Sequence, residues 1–314
     1  MTSKTSPRPA GTSPSEEQDS VLHKAEQKLS RTLAWAQIEP WQQDNHYITS
    51  HYRPASNSYK KSFHSILSLH NETINIWTHL LGSLFAIISS SFLYLTLKPR
   101  FQQATEQDVL VFACFFLGAT VCLGMSATFH TISNHSAPVQ KFGNRLDYMG
   151  IIFLIWGSFI PSIYYGFARE EALRKLYWSM ITTIGAGTFI VVMHPKFRSS
   201  DWRPFRAVMF IMMGLSAVVP VLHGLKLYGL EQMQRQIGLS WLVLQGALYI
   251  IGAVIYAARV PERWKPGQFD LLGSSHQIFH VMVLLAAAAH LSGLLKAFDY
   301  EHRFRLETVL GGTI

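Results

Sequence analysis

The sequence predicts an all-α membrane protein, a bundle of seven transmembrane helices. Three observations carry that prediction. The 314 residues are 49% hydrophobic but only 15% charged, where soluble domains carry about a quarter. The charge is segregated, leaving seven stretches without Asp, Glu, Lys or Arg: 79–97, 109–129, 148–167, 176–193, 207–225, 239–258 and 277–295. At about 1.5 Å of rise per residue, each is long enough to cross about 30 Å of hydrocarbon.

Taken in order, residues 1–20 are rich in Ser, Pro, Thr and charge and lack the apolar core of a signal peptide, so they read as disordered. Residues 21–37 place Val21, Leu22, Leu29, Leu33 and Trp35 among charges, the pattern of a short amphipathic helix on a membrane surface. The chain divides into this N-terminal segment, 1–40, a transmembrane domain, 41–298, and a short tail, 299–314. No internal repeat or second domain is visible. The weakest span is 207–225, which contains Pro220 and His223. Proline and glycine inside the other spans (Pro161, Gly185, Gly187, Gly246, Gly252) are tolerated in lipid and permit kinks and close approach. Cys114 and Cys122 lie about 12 Å apart along one helix and cannot bridge.

Orientation follows from Lys and Arg. With the N-terminus in the cytosol, the cytosolic loops carry Lys141, Arg145, Lys196, Arg198, Arg203, Arg206, Arg259, Arg263 and Lys265. The opposite loops carry Lys98, Arg100, Arg169, Arg174, Lys175, Lys226 and Arg235. Arg53, Lys60 and Lys61 before the first span add to the bias toward N-inside and C-outside. The net charge of +8 points to anionic lipid; no nucleic-acid motif accompanies it. The glycosylation sequons at Asn71 and Asn134 fall on the cytosolic side.

Ionisable groups at membrane depth are costly and mark function. His130 closes the second span, Asp147 opens the third, and His276 and His280 open the seventh. All four fall at the cytosolic end, an agreement the topology did not presuppose. Ser126 precedes His130 by four residues and His276 precedes His280 by four, so each pair shares a helical face. Three imidazoles are a common first shell for catalytic zinc, with the fourth position left to water. Each residue also has an ordinary reading. Ser126 alone is a helix-packing serine, Asp147 alone is an N-cap of the third helix, and a lone pair of histidines is ambiguous. His79, His194, His223 and His290 read as interfacial or hydrogen-bonded side chains. Glu72, Asn75 and Trp77 read as anchors where the chain enters the membrane, and Arg263, Trp264 and Asp270 as anchors before the last span.

The order of motifs resembles the progestin and adipoQ receptor family, which includes the adiponectin receptors, fungal zinc-homeostasis proteins and, more distantly, haemolysin III proteins. The matching stretches are Tyr52-Arg53-Pro54, Leu69 to His79 (LHNETINIWTH), Ser126-x3-His130, Leu146-Asp147-Tyr148-x-Gly150-Ile151, and Pro261 to Asp270 running into Ser275 to His280. The likeness covers about residues 40–298. One departure is His51, where these proteins often carry Gly; it lies outside the histidine constellation. The resemblance implies a bundle inverted relative to G-protein-coupled receptors. It also implies zinc held by His130, His276 and His280, with Ser126 and Asp147 beside a bound water. The adiponectin receptors resemble ceramidases in activity, so a lipid amide hydrolase acting on a ceramide-like substrate is the natural enzymatic reading, Asp147 moving the proton.

Three readings remain open at this point. One is the zinc-dependent hydrolase. Another is a receptor or zinc and lipid homeostasis regulator in which zinc is structural. The third is a pore, disfavoured because no span carries a stripe of charge. The partners implied are membrane lipids and an unidentified extracellular protein ligand. The membrane is the plasma membrane, the endoplasmic reticulum or the vacuole.

Overall fold

Burial of one stripe on each of seven apolar helices, with the remaining apolar surface turned outward, accounts for the architecture of the computed structural model. The structure describes residues 32–100, 104–198 and 202–311. Within them, α1 (Tyr59–His64) precedes the bundle. The helices that follow are α2 (Thr73–Arg100), α3 (Glu106–Ile132), α4 (Ala137–Gly166), α5 (Glu171–Met193), α6 (Arg203–Leu215), α7 (Val218–Gln236), α8 (Leu239–Ala258) and α9 (Ser275–Gly311). Seven spans among the described residues are long and apolar enough to cross a membrane, with α6 and α7 together forming the fifth, Phe205–Gln236. The chain is therefore a multi-pass membrane protein. Leu81, Phe85 and Ile88 on α2 and Val243, Ile250 and Val254 on α8 are exposed, as lipid-facing side chains should be.

The charge-free stretches locate every span but shorten several. α4 begins at Ala137 behind an N-cap at Ser136, with Pro138 in its first turn, where a missing N–H costs nothing. Asp147 therefore sits inside the helix, and its reading as an N-cap is wrong. The fifth span breaks near Ser216. Pro220 has no N–H to offer the Ser216 carbonyl, which accepts instead from Val219 N–H at 3.2 Å. Gly229 interrupts α7 again with a left-handed φ of 76°. The last helix runs on to Gly311, through most of the predicted tail. Contacts with the bundle support the first part of this extension: Glu301 meets Arg169 at 3.4 Å and His302 approaches Asp108 at 3.4 Å.

Most of the predicted amphipathic helix lies outside the described residues. Its end is not helical: Leu33 pairs with Tyr52 in an isolated β-bridge, Trp35–Gln37 form a single 3-10 turn, and Leu33 and Trp35 pack on Ile38, Ile48 and Tyr52.

The closest helix packing joins α3 to α4. A Cβ built on Gly118 would lie 2.6 Å from the Phe153 carbonyl oxygen, and one on Gly150 would lie 2.8 Å from Cys122 Cα. Small residues let backbones meet in this way. The contacts fix an antiparallel register in which 118 faces 153 and 122 faces 150. One further turn along, the same register sets Ser126 at the level of Asp147.

Gly150→Val forces a side chain into backbone and should destabilise the bundle by about 1–3 kcal/mol or more. Gly187→Ala, where a Cβ meets nothing within 4 Å, is the control. Thermal unfolding of the purified variants in one detergent measures both; equal stability would refute the close-contact account.

Candidate metal centre

The three predicted histidines converge. One ring nitrogen from each of His130, His276 and His280 lies within 4.8 Å of the others. Ring centroids are 4.8–4.9 Å apart and the planes cross at 72–79°. His130 closes α3, while His276 and His280 occupy the first turns of α9. The group therefore joins the end of one helix to the start of another.

Hydrogen bonds decide which nitrogen of each ring is free. His130 Nδ1 is 2.7 Å from Glu72 Oε2. The same Glu72 oxygen lies 2.7 Å from the Asn75 amide, which donates to it, so the carboxylate is held as an acceptor from two sides. An ionised carboxylate only accepts, so His130 carries its proton on Nδ1. His280 Nδ1 is 3.2 Å from the Asn75 carbonyl oxygen, another acceptor, and the same argument fixes its tautomer. Each ring is left with an Nε2 lone pair, and that of His130 is buried with no hydrogen-bond partner. Metal-binding histidines are commonly held in this way, the second nitrogen donating to a carboxylate or carbonyl. These two nitrogens, with a third from His276, fit a borderline divalent ion such as zinc.

Asp147 and Ser126 stand beside this group without entering it. Asp147 lies within electrostatic reach of His130, with the Ser126 hydroxyl in its immediate surroundings. Ser126 Oγ is buried and outside strict hydrogen-bond geometry. Asp147 is half-buried.

Motif residues before α1 and α9, Asp270 among those read as anchors, form a cap over the histidines. Arg53 is buried and donates to the Thr131 carbonyl at 2.9 Å, to the His130 carbonyl, and to Ser65 and Ser133 hydroxyls. It thereby satisfies free carbonyls at the C-terminus of α3, where positive charge is also favoured. Burial lowers its pKa to about 10, which still leaves it charged at neutral pH. Glu262, fully buried, accepts from the backbone and hydroxyl of Ser275 and from Asn45, capping α9 one residue before His276. Asp270 takes Thr49 N–H, Thr49 Oγ1 at 3.0 Å and Ser50 Oγ at 2.7 Å. Gly267 adopts a φ of +82° and donates to the Tyr47 carbonyl. The loop before α9 thus clasps the segment before α1.

The sequence reading missed the roles of Glu72, Asn75 and His79. Glu72 lies just before α2, and Asn75 and His79 follow it at spacings of three and four residues, a repeat that was the available signal. Other histidines placed among ordinary side chains are paired: His223 with Tyr177 at 2.6 Å and His290 with Gln245 at 2.7 Å. Asn134 is buried and bonded to Ser62 and Pro54, which leaves its amide unavailable for glycosylation. A groove of about 390 Å³ between α2, α3 and Phe298 contains none of the three ligand candidates and lies at the other end of the bundle.

Seven spans with three histidines at one end define a heptahelical membrane protein with a candidate metal centre. Comparison with known sequences places it more closely. The Haemolysin-III related family matches residues 67–291, and the chain belongs to that family. It is 41% identical to the Adiponectin receptor protein of Drosophila melanogaster over 286 residues, covering 91% of this chain and 64% of that one. It is 39% identical to the ADIPOR-like receptor IZH2 of Saccharomyces cerevisiae over 279 residues, covering 89% and 88%. It is 35% identical to Heptahelical transmembrane protein 1 of Arabidopsis thaliana over 278 residues. The chain thus spans under two thirds of the fly protein but most of the yeast one.

Glu72→Gln keeps the shape but loses the charge that orients His130. It should weaken zinc or cobalt binding about 10- to 100-fold, read by chelator competition. Unchanged affinity would show that Glu72 does not position the ring.

Proposed function

We propose that His130, His276 and His280 hold zinc and that the protein hydrolyses a ceramide-like lipid amide at this end of the bundle. The observation that carries the reading is the incomplete ligand set. Three nitrogens converge, and the neighbouring carboxylate and hydroxyl stand beside them without joining the group. A structural zinc site usually closes with a fourth protein ligand.

Bound there, zinc supplies a Lewis acid that polarises a carbonyl and brings the pKa of a coordinated water to about 7. The chain's own residues do the rest. The Asp147 carboxylate accepts a proton from the attacking water and returns it to the amide nitrogen as the C–N bond breaks. The Ser126 hydroxyl donates to the oxygen on which negative charge develops. Glu72 and the Asn75 carbonyl keep the two rings aimed while this happens. Membrane lipids supply the substrate.

The runner-up is a receptor in which zinc only clamps the bundle. The names of the fly and yeast relatives and the link that the histidines make between α3 and α9 favour it. Under both readings the histidine end faces the cytosol. Lys60, Lys61, Lys141, Arg263 and Lys265 are exposed there, while Glu262 and Asp270 are buried, so the surface offers mostly positive charge to an anionic leaflet.

The purified protein should hold about one zinc per chain, by analogy with three-histidine sites. Asp147→Asn should keep its zinc but lose lipid amide turnover about a hundredfold or more, and Ser126→Ala should lose less. Metal content and ceramide turnover on the same preparations decide the matter. No turnover of any lipid amide by wild type, or normal turnover by Asp147→Asn, would leave the clamp as the better account.

The orientation has its own test. In intact cells a tag at residue 1 should resist protease, while one at residue 314 on surface protein should be cleaved. The reverse pattern would overturn the topology.

A further inference from the structure

His79 behaves unlike the other core histidines. It is 97% buried, with a relative exposure of 3%, yet neither ring nitrogen has a hydrogen-bond partner among the described residues. A backbone group of His280 lies close to it but outside hydrogen-bond geometry, and at best would serve one nitrogen. The contrast with His223 and His290, each bonded to a neighbouring side chain, sets His79 apart. A neutral imidazole carries one N–H and one lone pair, and leaving both unmet in an apolar bundle is costly.

Its position is fixed without those bonds. The ring lies flat on His280, with centroids 3.6 Å apart and planes 5° from parallel. It sits on α2 one turn beyond Asn75, within electrostatic range of His130 and His276. It does not join the three nitrogens that could share an ion. His79 is thus a rigidly placed donor and acceptor adjoining the metal centre, and is itself no ligand.

We propose that His79 binds the polar end of the lipid, the imidazole lone pair accepting from the amide N–H. A secondary amide presents a donor N–H, the complement of that lone pair. An ester of the same shape has no donor. The proposal rests on the lipid-amide reading of the metal centre and adds the residue that selects amide over ester. Sites built to bond a polar group reject analogues that lack it, because the site's own groups are then left unpaired.

The test uses full-length, zinc-loaded protein in lipid nanodiscs. His79→Phe keeps a flat ring for the stack on His280 and removes both nitrogens; His79→Gln restores one donor and one acceptor. Zinc content is measured first, then equilibrium binding of N-acylsphingosine and of its O-acyl ester analogue. Wild type should prefer the amide. His79→Phe should keep its zinc and lose amide affinity about tenfold or more, with ester binding unchanged. His79→Gln should recover part of the preference. Equal binding of amide and ester by wild type, or an undiminished preference in His79→Phe, overturns the proposal. Loss of zinc from His79→Phe also overturns it, by making His79 a support of the metal centre. Turnover on the same samples separates the two readings: an amide preference that depends on His79 but comes without hydrolysis keeps this assignment and removes the enzyme.

Discussion

Three imidazole nitrogens brought within 4.8 Å of one another are the constraint on which the histidine end depends. His130 Nε2 is buried and meets no hydrogen-bond partner, and a buried polar atom left unmet costs about 1–3 kcal/mol. Rings free to turn would relieve this by pointing away. They are held by residues that contribute no ligand. Glu72 and the Asn75 carbonyl settle two tautomers, Arg53 fixes the end of α3 through the carbonyls of His130 and Thr131, and Glu262 caps the start of α9. The cap formed by residues 45–53 and 259–274 exists on the same logic. Its guanidinium and the Glu262 carboxylate satisfy backbone groups that helix ends leave open, and Asp270 ties the loop to Thr49 and Ser50.

The two ends of the bundle treat charge differently. At the histidine end, Glu262 and Asp270 turn inward with Arg53 to order the cap, while Lys60, Lys61, Lys141, Arg263 and Lys265 are exposed. At the far end, Asp108 closes a capping box with Thr105 and accepts from Tyr165 at 2.9 Å, beside His302 on the extended last helix. That arrangement ties α3, α4 and α9 together without converging on a point. The family signature maps onto the first end: the Tyr52-Arg53-Pro54, Leu69 to His79 and Pro261 to His280 stretches all meet there.

The seven spans were legible because lipid forbids unpaired charge, and their ends were less so for the same reason. α4 starts ten residues before Asp147 and carries Lys141 and Arg145 on its first turns, where water tolerates charge. A search for charge-free windows cannot see that part of a helix. The metal candidates were legible because imidazoles at span ends had no lipid-facing use. Glu72 was hidden by its place just outside the first span, where a carboxylate is commonplace, although Glu72, Asn75 and His79 repeat at spacings of three and four residues. The break at Ser216 needed the structure: Pro220 announces a lost hydrogen bond, but lost bonds are often absorbed in membrane helices without a break.

The position of the histidines within the packing joins these observations. α2, α3, α4 and α5 pack successively, and α8 packs along α9, while α9 meets α2 and α4 through fewer neighbours. His130 belongs to the first group and His276 and His280 to the second. An ion held by all three would bridge these two groups of helices. Binding to the folded state alone adds stability by mass action, and here it would act across that seam. A seam is also the place where a lipid can enter between helices without breaking a close-packed pair such as α3 and α4, whose glycines meet backbone to backbone. The same location would suit either a clamp or an open catalytic site, and the chemistry of the fourth position distinguishes them.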